Sequence, residues 1–217
     1  MKIHHLSTTP SILNKYLAEI RDVNIQKDSM RFRRNIERIG EFMANEISKT
    51  FRYKNHAIQT PLGTKTIPLP DEQIVIASIL RAGLPLHNGL LNIFDNAGNA
   101  FISAYRKHTD ENHFEIAVEY LSTPPLEGKT LLLADPMLAT GRSLLSVYKN
   151  LIQHGGNPEK VHLISVIASQ QGIDYVRRNF PENIHLWVAD IDEKLNQKSY
   201  IVPGLGDAGD LAYGEKL

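Results

Sequence analysis

The sequence predicts an α/β fold in which a central, mainly parallel sheet is covered by helices on both faces. Three observations predict it. Apolar runs of strand length are continuous, as in "IVIASIL" (74–80), "TLLLAD" (130–135) and "VHLISVIAS" (161–169). Segments of helical periodicity separate most of them. The composition is ordinary for a globular chain: 217 residues, 42% hydrophobic and 22% charged. Strands buried on both faces read as unbroken apolar runs, and strand–helix alternation builds parallel sheets.

The elements follow in order. Residues 29–50 carry Phe32, Ile36, Ile39, Met43 and Ile47 at helical spacing, with Ser29 as the expected N-cap. The stretch "HAIQTPLGTKTIPLP" (56–70) predicts a hairpin around Leu62 and Gly63. After the strand at 74–80 come a helix within 84–95, a strand "AFISAY" (100–105), a polar stretch at 108–113 and a β-arm at 114–121. The strand at 130–135 leads to a helix from Ser143 to His154. The strand at 161–169 leads to a helix near 170–179, and "IHLWVAD" (184–190) is the last strand. The whole chain, 1–217, reads as one domain. Within it lie an N-terminal helical region of about 1–50, a β-arm or lid of about 106–122 and a C-terminal segment of about 190–214.

Bulk properties exclude several classes. Lysine plus arginine equals aspartate plus glutamate, 24 each, so nothing general favours nucleic acid or an anionic membrane as partner. Without cysteine there are no disulfides and no thiolate metal sites. The N-terminus "MKIHHLSTTP" lacks the apolar core of a leader, and no apolar run spans a bilayer, so a cytoplasmic protein is expected. Walker A, H-E-x-x-H and G-x-S-x-G patterns are absent.

In parallel sheets, ligands bind beyond the carboxyl ends of the strands, so the residues there are the candidates. "ADPMLATGRS" (134–143) runs from a strand through small residues into a helix. Free N–H groups at a helix start attract anions, and a glycine lets backbone approach closely. Thr140 and Ser143 add hydroxyls, and Asp135 can reach the hydroxyls of a sugar bearing the phosphate. Taken alone, the loop reads equally as a phosphate cradle or a plain capped turn. Arg81, after the strand at 74–80, can clamp a diphosphate or pair with a carboxylate. His87 reads as a helix-surface or packing residue rather than a base. Arg106 and Lys107 follow another strand, where a lid over an anion and a solvated turn are near-equal readings. The tail "PGLGDAGD" (203–210) formally matches a dinucleotide fingerprint, but only eight residues follow Gly209, too few for a βαβ unit. It reads instead as a backbone wall against a flat ligand, with Asp207 as its acid. "ADIDEKLN" (189–196) reads as a polar turn.

Together these segments resemble a known family. "ADPMLATGRS" is similar to the phosphoribosyl-diphosphate (PRPP) loop of type I phosphoribosyltransferases. With "SILRAGL", "YR" and "YIVPGLGDAGD", the chain resembles the uracil phosphoribosyltransferases from its "RFRRN" region to Gly214. The resemblance implies a type I fold with a small hood and a β-arm, and the reaction uracil plus PRPP to UMP and diphosphate. It assigns PRPP binding to Asp135, Pro136, Met137, Leu138, Ala139, Thr140, Gly141, Arg142 and Ser143, with Arg81 and Arg106 on the diphosphate. It assigns uracil to Ile201, Gly206, Asp207 and Ala208, with Asp207 also facing PRPP. Asp207, Arg106 and Asp135 are the expected catalytic groups. Magnesium is expected through PRPP and water, without a protein cage. A homodimer or larger homo-oligomer and activation by GTP are expected partners. Arg142 departs from the glycine usual at its position. It is strained if that position needs positive φ, and otherwise adds charge beside the phosphate. Leu211 and Ala212 also depart, which bears on packing of the tail. Alternatives are a phosphoribosyltransferase for another base, or a non-catalytic nucleotide-sensing or RNA-binding regulator on the same scaffold.

Overall fold

The computed structural model describes residues 1–110 and 113–216, with side chains over 1–103 and 119–216. The chain opens with β1 (Lys2–His5), a 3-10 turn, α1 (Ile12–Arg21) and α2 (Ser29–Ser48). Next come a hairpin of β2 (Tyr53–Thr60) and β3 (Gly63–Pro70), then β4 (Ile74–Leu80) and α3 (Leu84–Ile93). β5 (Gly98–Asp110) and β6 (His113–Ser122) form a second hairpin. β7 (Thr130–Ala134), the short β8 (Met137–Leu138) and α4 (Arg142–Gly155) follow. The chain ends through β9 (Lys160–Ser169), α5 (Gln170–Asn179), β10 (His185–Asp192), β11 (Lys194–Leu195), β12 (Ile201–Val202) and α6 (Ala208–Tyr213).

Among the described residues the main sheet runs β1-β10-β9-β7-β4-β5-β6, with β8 also on β9. All its pairings are parallel except β5 with β6. The unbroken apolar strands serve two cores at once. On β4, Val75, Ala77 and Ile79 enter one cluster with Leu144, Val147 and Leu151 of α4. Ile76 of the same strand enters the other, with Phe32, Ile36 and Met43 of α2. Period-two alternation between two buried faces is why these strands carry no polar stripe. The expected α/β class is what the structure has.

Several details differ from the expectations. Residues 2–5, assigned to a helical region, form an edge strand in parallel register with His185–Val188 of β10. α1 begins at a capping box, in which Ser11 Oγ accepts from the Leu13 N–H (3.3 Å) and Asn14 Oδ1 accepts from the Ser11 N–H (3.3 Å). Asp28, not Ser29, caps α2, accepting from the Arg31 N–H at 3.0 Å. A carboxylate there also meets the positive end of the helix dipole. β5 does not stop at residue 105: its backbone runs on to Asp110, so Arg106 and Lys107 lie within a strand. Antiparallel pairing with β6 satisfies that backbone whatever its side chains are. The side chains of Arg106 and Lys107, and the tip at 111–112 of the expected lid, lie outside the described residues. The hairpin β2–β3 stands apart from the main sheet, exposed along its length.

Candidate active site

A cavity of about 820 Å³ opens beyond the carboxyl ends of the central strands. Arg81 and Ala82 bound it after β4, Asp135, Met137 and Ala139 after β7, and Ser143 at the start of α4. Ile201 and Gly206 to Gly209 of the C-terminal segment form its far wall.

The loop after β7 is held by its neighbour β9. The Asp135 carbonyl accepts from Ser165 Oγ at 2.5 Å, and the Ala139 carbonyl from Ser169 Oγ at 2.6 Å. The Pro136 carbonyl accepts from the N–H groups of Val166 (3.1 Å) and Ile167 (2.9 Å). With its carbonyls engaged behind it, the loop presents Asp135, Met137 and Ala139 to the cavity. Gly141 ends the loop at φ 76°, which a glycine adopts without a Cβ penalty. α4 starts at Arg142 with no side-chain cap on its Gly141 N-terminus, and the Arg142 N–H reaches the Thr140 hydroxyl only at 3.5 Å. That leaves the helix start suited to an anion. The positive φ falls on Gly141 and not on Arg142, which decides between the two readings of Arg142 against backbone strain.

The loop therefore divides. Asp135, Met137, Ala139 and Ser143 face the large cavity. Thr140 and Arg142 line a smaller one of about 290 Å³ with Tyr175, Asn196 and Ser199. Pro136, Leu138 and Gly141 are buried behind the loop. Burial pushes the Asp135 carboxyl up to about 6, only partly opposed by the hydrogen bond it accepts from the Met137 N–H. Arg81 pairs with a carboxylate, one of its two sequence readings, and also stands at the cavity. Its Nη2 donates to Asp210 Oδ1 (3.0 Å) and to the Gly214 carbonyl (3.1 Å). The Leu80–Arg81 and Val202–Pro203 peptides are cis.

Asp207 has a structural task as well as a place in the cavity. Its Oδ1 accepts from the N–H groups of Gly209 (2.8 Å) and Asp210 (3.0 Å), capping α6, while Oδ2 lies 3.8 Å from Lys216 Nζ. The tail packs despite Leu211 and Ala212: Ala212 is buried, Leu211 touches the core, and Arg33 Nη1 donates to the Ala212 carbonyl at 2.5 Å.

The polar turn expected at 189–196 is largely strand. β10 carries through Asp192, and both Asp190 and Asp192 bind Arg21. Ser7, Arg21 and His5 hold the Asp190 carboxyl below the usual carboxylate range although burial opposes this. His87 is a buried packing residue, with Nδ1 2.8 Å from Ser78 Oγ and Nε2 2.8 Å from Asn99 Oδ1. Burial lowers its pKa. Sequence reasoning missed Lys198, Ser199 and Lys216 at the cavity, and Arg21 behind it. Ser199 is the one described non-glycine with positive φ, at 61°. A seryl residue gives no advance sign of that, whereas the helical spacing of Leu13, Leu17 and Ile20 was a readable sign of the helix bearing Arg21.

The family model described as uracil phosphoribosyltransferase matches residues 7–215. A uracil phosphoribosyltransferase of Porphyromonas gingivalis is 52% identical over 217 residues, covering 100% of both chains. A solved structure of a protein from Aquifex aeolicus superimposes with a TM-score of 0.85 at 30% identity, covering 98% of each chain. A hypoxanthine phosphoribosyltransferase of Staphylococcus aureus shares the fold, with a TM-score of 0.51 at 15% identity over 74% of each chain.

Proposed function

The chain belongs to the uracil phosphoribosyltransferase family and is an enzyme that joins uracil to the phosphoribosyl group of PRPP; on that premise we propose how its cavity divides the work. Uracil and PRPP become UMP and diphosphate. The observation that carries the assignment is that Arg81, Asp135, Ile201 and Gly206 to Ala208 line one cavity, although they lie far apart in the chain.

Asp135 receives the ribose hydroxyls, and the loop 137–143 receives the 5′-phosphate through backbone N–H groups and the Ser143 hydroxyl at the start of α4. Arg81 and Arg106 bind the diphosphate. Ile201, Gly206, Asp207 and Ala208 receive uracil, largely through backbone groups. Those groups have fixed donor or acceptor sense, which separates uracil from cytosine, because a mismatched base leaves buried polar groups unpaired. As diphosphate leaves the ribose, positive charge builds on the sugar and negative charge on the leaving group. Fixed cations aimed at that developing charge are worth more than ones that must reorganise. The lid at 106–122 excludes water that would hydrolyse PRPP.

Among the described residues no three metal-ligating side chains converge. A magnesium ion would be carried mainly by PRPP and water, with the Asp207 carboxylate at the cavity to hold its water shell, and it would supply charge neutralisation for the departing diphosphate. The exposed hairpin β2–β3 supports a homo-oligomer, because a lone two-stranded hairpin is marginally stable without a partner surface. Among the described residues no helix is long and apolar enough to cross a membrane. A cytoplasmic setting and GTP activation complete the reading.

The test mixes protein, magnesium and PRPP with uracil, cytosine, adenine or hypoxanthine, with and without GTP, and follows nucleotides by chromatography. UMP from uracil alone is expected, and the arms with and without GTP decide whether GTP activates. Nucleotide from another base at a similar rate would overturn the base assignment, and no nucleotide from any base would favour the regulator.

A further inference from the structure

Gly204 lies between Ile201 and Gly206, inside the segment proposed to receive uracil, and it is buried. Both of its backbone groups are held from outside the segment. Arg21 Nη1 donates to the Gly204 carbonyl at 3.0 Å, and the Gly204 N–H donates to Asp192 Oδ2 at 3.1 Å. The two side chains are joined to each other: Nη1 reaches Asp192 Oδ2 at 2.8 Å and Nη2 reaches Asp192 Oδ1 at 3.1 Å. Nη2 also donates to Asp190 Oδ2 at 2.7 Å, and Asp190 Oδ1 is in turn held by Ser7 Oγ at 2.9 Å. A second tie lies next door. With its amide nitrogen oriented to donate, Gln26 reaches the Leu205 carbonyl at 2.9 Å and the Ile20 carbonyl at 3.0 Å.

We propose that Arg21 and Asp192 are positioning residues for base recognition, gripping the carbonyl and the N–H of Gly204 so that the backbone groups on either side meet uracil in fixed orientation. This rests on the reading that Ile201 and Gly206 to Ala208 receive the base. Gly204 has φ 58°, and a Cβ there would collide with the Ile201 carbonyl, so the turn is tight and its direction passes to its neighbours. A buried ion pair is a poor way to gain stability compared with an apolar contact, but it fixes geometry well. The planar guanidinium fork does so better than an ammonium. Arg21 Nε is buried without a hydrogen bond among the described residues, as expected where placement of the fork takes precedence over satisfying every atom. Recognition by backbone dipoles is sensitive to small displacements, and a 1 Å error can cost about a hundredfold in rate.

The test measures both KM values and the uracil-to-cytosine ratio for Arg21→Gln, Arg21→Lys, Asp192→Asn and Gln26→Leu, with folding checked by circular dichroism. Arg21→Gln is expected to raise KM for uracil about tenfold or more and to narrow discrimination, leaving KM for PRPP within about twofold. Arg21→Lys should fall between wild type and Arg21→Gln, and Gln26→Leu should raise KM for uracil by about threefold. A purely structural role would lower Vmax with the folded fraction at unchanged KM. Folded variants with wild-type KM for uracil, or with both KM values rising together, overturn the proposal. If Arg21→Gln does not fold, Arg21→Lys and Gln26→Leu decide by the same criterion. Gly206→Ala separates the premise from the proposal. If it leaves KM for uracil unchanged, the base assignment itself fails. If it raises that KM while the Arg21, Asp192 and Gln26 variants do not, only the positioning role fails.

Discussion

The loop at 135–143 and the segment at 201–213 face each other across one cavity, yet they are held in opposite ways. The loop is held by the strand beside it. Ser165, Ser169, Val166 and Ile167 of β9 bind its carbonyls, all about thirty residues away in sequence. The tail is held by side chains from the other end of the chain: Arg21 and Gln26 at its turn, Arg33 at its helix. A loop pinned by parallel-strand pairing inherits the order of the sheet. A tail pinned by distant side chains depends on the whole N-terminal region being in place. On the proposed assignment, the two substrates sit on supports that single substitutions can perturb separately.

The largest expected effect is at Asp135. Asp135→Asn removes the carboxylate proposed for the ribose hydroxyls and should lower kcat/KM for PRPP by about a hundredfold or more, leaving KM for uracil little changed. The same variant should be more stable than wild type near neutral pH. The folded carboxyl titrates at about 6, above its ordinary value, so the native state resists ionisation that the unfolded chain accepts. Stability from this group is therefore full below about pH 4 and is lost as pH rises through about 6. Thermal melts from pH 4 to 8 should show the variant gaining up to about 3 kcal/mol over wild type as pH rises. A constant gap across that range would refute the titration. In wild type, kcat/KM for PRPP should decline as pH falls below about 6.

At Asp207 the comparison sharpens, because cap and chemistry can be separated. Asp207→Asn keeps a good N-cap on α6, whereas Asp207→Ala should cost a further ~1 kcal/mol in denaturant unfolding. If both variants lose activity equally, the carboxylate matters for turnover. If only Asp207→Ala does, the residue acts as a cap alone.

A smaller effect is expected at Ser169, whose hydroxyl donates to the Ala139 carbonyl and accepts from the Gly172 N–H at 2.8 Å. Ser169→Ala should cost about 1–2 kcal/mol, since it removes a cap and takes a donor from a half-buried carbonyl. Kinetics should show a few-fold rise in KM for PRPP and none for uracil. A rise for uracil would break the separation of the two supports.

The same contrast explains what the sequence disclosed. The central strands were legible because burial on both faces forces unbroken apolar runs such as Ile74–Leu80 and Thr130–Ala134. The acid, the glycine and the helix start of the loop were legible because they are consecutive. β1 was not, since its four residues include two histidines and its partner β10 lies 183 residues on. The clamp on Gly204 was not, since Arg21 carries no local motif and acts across 183 residues. Asp207 is legible in the sequence as a candidate site acid but not as a cap, because the six-residue helix it starts is too short to show periodicity. Arg142 stands where such loops usually carry glycine, and the positive φ falls one residue earlier, on Gly141.

The most direct test of the two-support account is a paired determination of KM for PRPP and KM for uracil in Asp135→Asn and Gly206→Ala. The account predicts that Asp135→Asn moves the PRPP constant and Gly206→Ala moves the uracil constant, each leaving the other within about twofold. The same constant moving in both variants, or both constants moving in each, would contradict it.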